Sequence, residues 1–385
     1  MADTFSGPDY LDLATTLTTR SGLKRRPGDE KTFADALLAL MKSDGLLSVV
    51  VGREHGGPGL CLADTARITE RIARQSGSAG LIYAMHMSQA LCVVHHGRGP
   101  FFEALKRRMV AEQLLIASGT SEKGPGGDIF TSIATVVQGA DGRISGQKES
   151  PNISYLDHAG LILLTANMAN DKGKMRQVLI ALDRADAAVT VPYPSSFLGM
   201  RGILNQPVVV AFSAPSEAVF PELFAPIARR TMTPTIQILW AALWSGISAG
   251  VIEKAKLFVE KEIGADAELA AIGRHDLTLL INRHSEMNAL IRDAIAGYAQ
   301  DTGGAASIGF GPAAQINRLK VCASEALVTI CIGAMRLIGI RGYATAGPYS
   351  VAEAVADALS APIMVSNTRL VMNTAAIEKF VEERL

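Results

Sequence analysis

Residues Ala117–Ser132 read ASGTSEKGPGGDIFTS, and the rest of the chain is best understood outward from them. The stretch follows a short apolar run, Leu114-Leu115-Ile116, and crowds four glycines and a proline into a few residues. A backbone of that composition turns sharply and leaves N–H groups facing outward. With the hydroxyls of Ser118, Thr120 and Ser121 beside those donors, the turn suits an electron-rich group. Glu122 and Asp128 argue against a cradle for phosphate alone. The same stretch also fits a glycine-rich hairpin connection that holds no ligand.

Before this turn the pattern is helical. Residues 1–28, mixed and basic toward Leu23-Lys24-Arg25-Arg26-Pro27, read as a solvated arm. Asp29 is placed to cap a helix through Phe33, Leu37, Leu40 and Met41, which Gly45 ends. Ala63–Arg74, Gly80–His95 and Phe101–Val110 show helical spacing of apolar residues. His86 has two readings, a packed core histidine and a catalytic group. His95 and His96 sit where a helix C-terminus favours them and need no further role.

After Glu112 the period falls to two and β-branched residues increase. Six short strands are predicted, at Leu114–Ala117, Ile133–Val137, Leu161–Thr165, Val178–Leu182, Ala188–Val191 and Val208–Phe212, with turn clusters between them. They make a compact β-barrel or sandwich. Past Pro221 long helices return, at Pro234–Glu260, Ala265–Gly297, Ala313–Ile338, Ser350–Leu359 and Ser366–Glu383, as an antiparallel bundle. The fold class is therefore α+β, with a helical domain at 29–113, a β-domain at 114–222 and a helical bundle at 223–385.

Composition agrees. The 385 residues are 48% hydrophobic but only 5% aromatic, which describes an Ala/Leu/Ile-rich helical protein that covers further surface by self-association. Lys+Arg and Asp+Glu both number 37, so no net charge favours nucleic acid or an anionic membrane. Cys61, Cys92, Cys322 and Cys331 lack metal-ligand spacing and read as free buried thiols of a reducing cytoplasm. No signal pattern opens the chain. Ile236–Ile252 approaches membrane-spanning length, but Gln237, Ser245, Gly246, Ser248 and Gly250 mark it as a helix inside a bundle.

Three segments in this order carry a resemblance. They are Arg53-Glu54-His55-Gly56-Gly57-Pro58-Gly59, the turn at 117–132, and Gly339-Ile340-Arg341-Gly342-Tyr343 followed by Asp357-Ala358. Together they resemble the acyl-CoA dehydrogenase superfamily. The resemblance implies FAD held between the β-domain and the helical bundle of a homo-oligomer, a dimer or tetramer, in which neighbouring subunits complete the dinucleotide site. It implies cofactor contacts from Thr120, Ser121, Gly126 and Gly127 on the turn and from Asn152 in Ser150-Pro151-Asn152-Ile153, where relatives carry W-I-T-N. Gly146-Gln147-Lys148 resembles the strand before that segment, and Leu198-Gly199-Met200-Arg201-Gly202 the turn before the last strand. Arg336, Gly339, Asn367 and Arg369 are the contacts implied on the C-terminal helices. Arg336 or Arg369 is expected to serve the pyrophosphate, because the arginine segment many relatives use is not recognisable between Phe258 and Arg274.

One departure bears on the reaction. Relatives end the helix after Asp-Ala with I-Y-E-G-T, whose glutamate removes the α-proton of an acyl thioester; here the segment is Ile363-Met364-Val365-Ser366-Asn367, with Val365 at the glutamate position. A second position used by some relatives falls near Ile236 and is also apolar. Replacement bases are sought in Glu122, His86 and Glu353. Three functions stay open: an FAD-dependent dehydrogenase of the CH–CH group of an acyl thioester with an unconventional base, a reduced-flavin-dependent monooxygenase of the same fold, and a non-catalytic subunit of a heteromeric dehydrogenase.

Overall fold

The structure is a computed structural model that describes residues 9–22, 28–125, 128–301 and 309–380. Five helices come first: α1 (Tyr10–Ser21), α2 (Glu30–Ser43), α3 (Leu62–Gln75), α4 (Gly77–His96) and α5 (Pro100–Glu112). The first corrects the solvated-arm reading. Asp9 caps α1 by accepting from the N–H groups of Leu11 and Asp12. Ala14 and Leu17 are fully buried, and Gln75 of α3 accepts from Thr18 N (2.7 Å) and donates to Ala14 O (2.6 Å). A threonine-rich segment is a poor intrinsic helix former, so tertiary contact makes this helix and local pattern does not show it. The basic residues Leu23–Pro27 lie outside the described residues. Asp29 makes no side-chain cap on α2, contrary to expectation. Gly45 follows that helix at φ 74°, as a C-terminal glycine does.

The middle of the chain is one curled mixed sheet of seven strands, ordered β1-β4-β2-β3-β7-β6 with β5 on β4. The strands are β1 (Ile116–Gly119), β2 (Thr135–Gln138), β3 (Arg143–Ile153), β4 (Leu161–Ala169), β5 (Met175–Asp183), β6 (Ala187–Thr190) and β7 (Gln206–Pro215). Periodicity misses β3, the longest, although the resemblance placed Gly146-Gln147-Lys148 on a strand. Its inward positions include Lys148 and Ser150, which break the apolar alternation, and its register with β7 shifts between Ser150 and Ile153 around Pro151. β1 and β2 run parallel to successive parts of β4 while β5 pairs antiparallel along its whole length, so β1 is an edge strand.

Beyond the sheet, α6 (Phe224–Ile227) continues through a π-helical turn at Ala228–Met232 into α7 (Thr233–Lys261). Then come α8 (Ala267–Asp301), α9 (Phe310–Ile338), α10 (Ile340–Tyr343), α11 (Ala352–Ala358) and α12 (Asn367–Ile377). Among the described residues three helices are long and apolar enough to cross a membrane: α4, the continuous helix through α6 and α7, and α9. In the first two 89% and 78% of the apolar window is buried inside the protein, so their apolar character is spent on the core; in α9 only 44% is. Gly246 lets α7 lie on α3, since a Cβ there would come within 2.3 Å of Glu70 O. All four cysteines are free; Cys92 and Cys331 are buried, but Cys61 and Cys322 are exposed, against the expectation of buried thiols throughout.

Candidate functional site

The site is built up from β1. His86, in the middle of α4, is fully buried; its Nδ1 accepts from Ile116 N (3.0 Å) and its Nε2 donates to Leu47 O (2.6 Å). Tyr155 Oη donates to Ile116 O (3.2 Å). Burial pushes the His86 pKa down to about 4. Both ring nitrogens are thus spent on backbone, and the catalytic reading of His86 is replaced by a structural one. These two side chains also show which way the edge faces. In a strand the N–H and C=O of one residue share a side and the sides alternate. Ile116 faces outward, so Ser118 does too, and its peptide groups point away from β4 at the mouth of the turn.

Glu122 turns the chain. Its carboxylate accepts from Ser132 Oγ (2.7 Å), Ile133 N (3.1 Å) and Ala134 N (2.5 Å), and pairs with Lys148 Nζ at 3.2 Å. Lys148, shielded on β3, also donates to Thr165 O and Oγ1, both at 2.8 Å. Burial acts to raise the Glu122 pKa, but the Ser132 hydroxyl, Lys148 and the two peptide N–H groups outweigh it and hold the carboxylate below its usual range. An anion so occupied is no proton acceptor, and Glu122 leaves the set of candidate bases.

Ser121 Oγ donates to Asn152 O (2.9 Å) and lies 2.8 Å from Ser150 Oγ. It latches the turn to β3, so its hydroxyl is committed to the fold. Lys123 reinforces the latch, with N to Glu149 O at 3.1 Å and Nζ to Glu149 Oε1 at 2.8 Å. Thr120 Oγ1 lies 3.1 Å from Ser118 Oγ, and both residues are half-buried. Asn152 is exposed beside the latch. Gly126 and Gly127 lie outside the described residues.

The remaining predicted residues stand on the C-terminal helices. Arg336 is exposed in the last turn of α9, and Gly339 ends that helix at φ 71°. Asn367 opens α12, but its amide is committed: Oδ1 accepts from Lys320 Nζ (2.7 Å), while Nδ2 donates to Ser324 Oγ (3.0 Å) and Glu325 Oε1 (2.7 Å). Arg369 is half-buried on the first turn of α12. Arg341 is paired with Glu262, which also accepts from Tyr349 Oη (2.7 Å).

Between α11 and α12, Val365 is 45% exposed at φ 51°, a conformation rare for a β-branched residue. Ile363 beside it is 76% exposed, so the segment presents apolar side chains and no carboxylate. Glu353, the last candidate base, lines instead a cavity of about 330 Å³ with Arg74, Gly77, Lys254 and Asp357, and no residue of 358–367 borders it.

Two motifs act as joints. Asp357 Oδ1 accepts from Met200 N (2.5 Å), Gly202 N donates to Ser78 Oγ (3.1 Å), and a Cβ on Gly199 would come within 2.2 Å of Ala356 O. The turn before β7, the start of α4 and α11 therefore meet at one buried carboxylate. Sequence reasoning quoted Asp357 and this turn but missed that they hold each other. It missed Lys148 as the partner of Glu122, and Lys320 altogether; an isolated lysine in an apolar helix was the available signal.

Residues 23–112 match the family model for the acyl-CoA dehydrogenase N-terminal domain. Across 96% of this chain and 97% of the other, the fold matches FMN-bound TdsC, a dibenzothiophene monooxygenase from Paenibacillus sp. A11-2, at 17% identity and TM-score 0.81. Butyryl-CoA dehydrogenase from Megasphaera elsdenii matches at 18% identity and TM-score 0.78, over 97% and 99% of the two chains. Methanesulfinate monooxygenase MsuC from Pseudomonas fluorescens matches at 14% identity and TM-score 0.78, over 97% and 98%. No curated protein matches the sequence. Residues 23–112 thus match the acyl-CoA dehydrogenase N-terminal domain, and the chain as a whole has the acyl-CoA dehydrogenase fold.

Proposed function

We propose that this chain is a flavin-dependent oxidoreductase that works without a positioned α-proton base, and that oxygenation of an apolar substrate by flavin supplied in reduced form is the reaction it suits best. The observation that carries this reading is the Ile363–Asn367 segment, with Val365 where an acyl-thioester dehydrogenase needs a carboxylate. Removing a general base typically costs a factor of about 10²–10⁴. Of the three substitutes considered, His86 and Glu122 are tied inside the protein and Glu353 lines a different cavity. TdsC and MsuC, named as monooxygenases, support the same choice.

The donor set fits a flavin. The imide edge of the ring alternates acceptor, donor and acceptor; Ser118 turns an N–H and a C=O outward together, and the Ser118 and Thr120 hydroxyls serve in either sense. When bound, a flavin supplies two-electron redox chemistry and, once reduced, reactivity toward oxygen. The protein's part is to orient the ring's polar edge on β1, to place Asn152 at its rim, and to exclude water with Ile363 and Val365. Between FMN and FAD the deciding charge is one for a pyrophosphate. Arg341 is already paired with Glu262, which leaves Arg336 and Arg369 as our candidates.

The second reading, dehydrogenation of an acyl thioester, is favoured by the N-terminal domain match and by the Ser121-Glu122 turn. In either case we propose a homo-oligomer, since α9 leaves more than half its apolar window uncovered and Ile340, Tyr343 and Met372 are exposed. The test is spectroscopic. Oxygen consumption that appears only with reduced FMN or FAD and an apolar heteroaromatic substrate supports the proposal. Bleaching of tightly held oxidised FAD by acyl-CoA under anaerobic conditions would replace it with the second reading. Solubility only alongside a paralogous partner, with neither activity alone, would point to the non-catalytic subunit.

A further inference from the structure

Lys320 lies within α9 and is wholly shielded from solvent. Its Nζ donates to the carbonyls of Ala361 (3.0 Å) and Val365 (2.7 Å) and to Asn367 Oδ1 (2.7 Å). An ammonium has three N–H donors, so all are used. The Trp244 ring of α7 stands 5.8 Å away, within cation–π range. The three acceptors are uncharged. A buried cation held only by dipoles is costly, and a leucine would fill the same space without that cost. What the lysine does that a leucine could not is draw three points of one connection onto a single atom.

That connection joins α11 to α12. It carries Val365 at φ 51°, and such backbone persists only where its surroundings over-determine it. The Val365 carbonyl on Lys320 is one such constraint, and Asn367, bonded further to Ser324 and Glu325, is the next.

We infer that Lys320 is the positioning residue of this wall: it holds Ile363 and Val365 in the arrangement against which flavin and substrate rest. The inference builds on the proposed function, which places the 361–367 segment beside the flavin. Burial lowers the Lys320 pKa to about 8, opposed by Glu325 on the same helix. Facing it, α7 contributes the Trp244 ring and the 361–367 segment contributes carbonyls and an amide. Above about pH 8 an amine with two N–H groups must serve three acceptors, and the clasp loosens.

The test uses the full chain, wild type and Lys320→Met, with three readouts: thermolysin cleavage before Met364 or Val365, tryptophan emission against pH, and FMN and FAD affinity. The variant is expected to be cut about tenfold faster near neutral pH and to bind flavin about tenfold more weakly, with far-UV circular dichroism unchanged. Wild-type emission, which comes only from Trp240 and Trp244, is expected to titrate near pH 8, and the variant's is not. Cleavage and affinity within about twofold of wild type would overturn the inference. So would faster cleavage with unchanged flavin affinity, since Lys320 would then order the segment without serving the site. If the variant does not fold, wild-type cleavage decides: a rise through about pH 8 supports the clasp and a flat profile overturns it. A wild type that binds neither flavin removes the proposed function and, with it, the role assigned to Lys320 at the site, while cleavage and emission still report whether Lys320 orders the segment.

Discussion

Two lysines are buried to nearly the same depth, Lys148 on β3 at 1% exposure and Lys320 on α9 at 0%, yet they are neutralised differently. Lys148 has a carboxylate, Glu122, which also gathers Ser132 and two peptide N–H groups. Lys320 has no carboxylate among its hydrogen-bond partners, which are two carbonyls and an amide, with the Trp244 ring beside them. The first belongs to the β-domain side of the site, where β1 is further pinned by His86 and Tyr155. The second belongs to the helical side, where the backbone departs from ordinary geometry and the expected base is absent. One wall is thus fixed by compensated charge and the other by dipoles and a ring face; under the proposed function the first would hold the flavin ring and the second would set the reaction.

The largest effect that would break this comparison is on the paired lysine. Lys148→Met strands Glu122 among its donors and is expected to cost about 3–5 kcal/mol, the scale for splitting a buried ion pair. Urea unfolding of Lys148→Met beside Lys320→Met checks it; equal losses would mean that the counter-ion does not distinguish the two sites.

Next is His86, the brace behind β1. His86→Ala leaves Ile116 N–H without its acceptor and Leu47 O without its donor, and is expected to cost about 2–3 kcal/mol from these two orphaned buried groups plus lost packing. His86 also gives a pH signature. Its folded pKa of about 4 lies below the ordinary histidine value, so between those values the unfolded chain binds the extra proton and stability rises with pH. Wild-type melting should therefore steepen between about pH 4 and 6.5, and His86→Ala should lose that portion.

Glu122 titrates on the acid side with the sign of a depressed carboxylate. Its contribution is complete above the ordinary glutamate pKa and is lost as pH falls through the lower folded value. Glu122→Gln should flatten that acid limb while leaving the region around neutrality similar in shape; an unchanged limb would mean that the carboxylate is not the charge that holds the turn.

The smallest expected effect sharpens the picture of the latch. Ser121→Ala removes the bond to Asn152 O and should cost about 1 kcal/mol. If flavin affinity falls no further than stability predicts, the hydroxyl serves the fold and not the ligand.

How much of this was legible varied by residue. The long bundle helices appeared within a few residues of their limits because apolar spacing along α7 or α9 is a local property. β3 did not, because its inward Lys148 looks polar until Glu122 and Thr165 are seen around it. α1 did not either, since Ala14 and Leu17 acquire their burial only against the rest of the N-terminal domain. At the site, the hydroxyl turn and the missing carboxylate at Val365 were readable from residue identity. The commitment of Asn367 and His86 to internal bonds was not.

The order of helical, β and helical parts, the glycine turns and the absence of an acid at position 365 follow from the chain alone, because period, turn chemistry and side-chain identity act over a few neighbouring residues. Which polar groups are spent inside and which remain for a ligand was decided only by packing. Met200 meets Asp357, Lys148 meets Glu122 and Lys320 meets Val365 across long stretches of chain, and a buried polar group takes its protonation and its role from whatever partner the fold brings within a hydrogen bond.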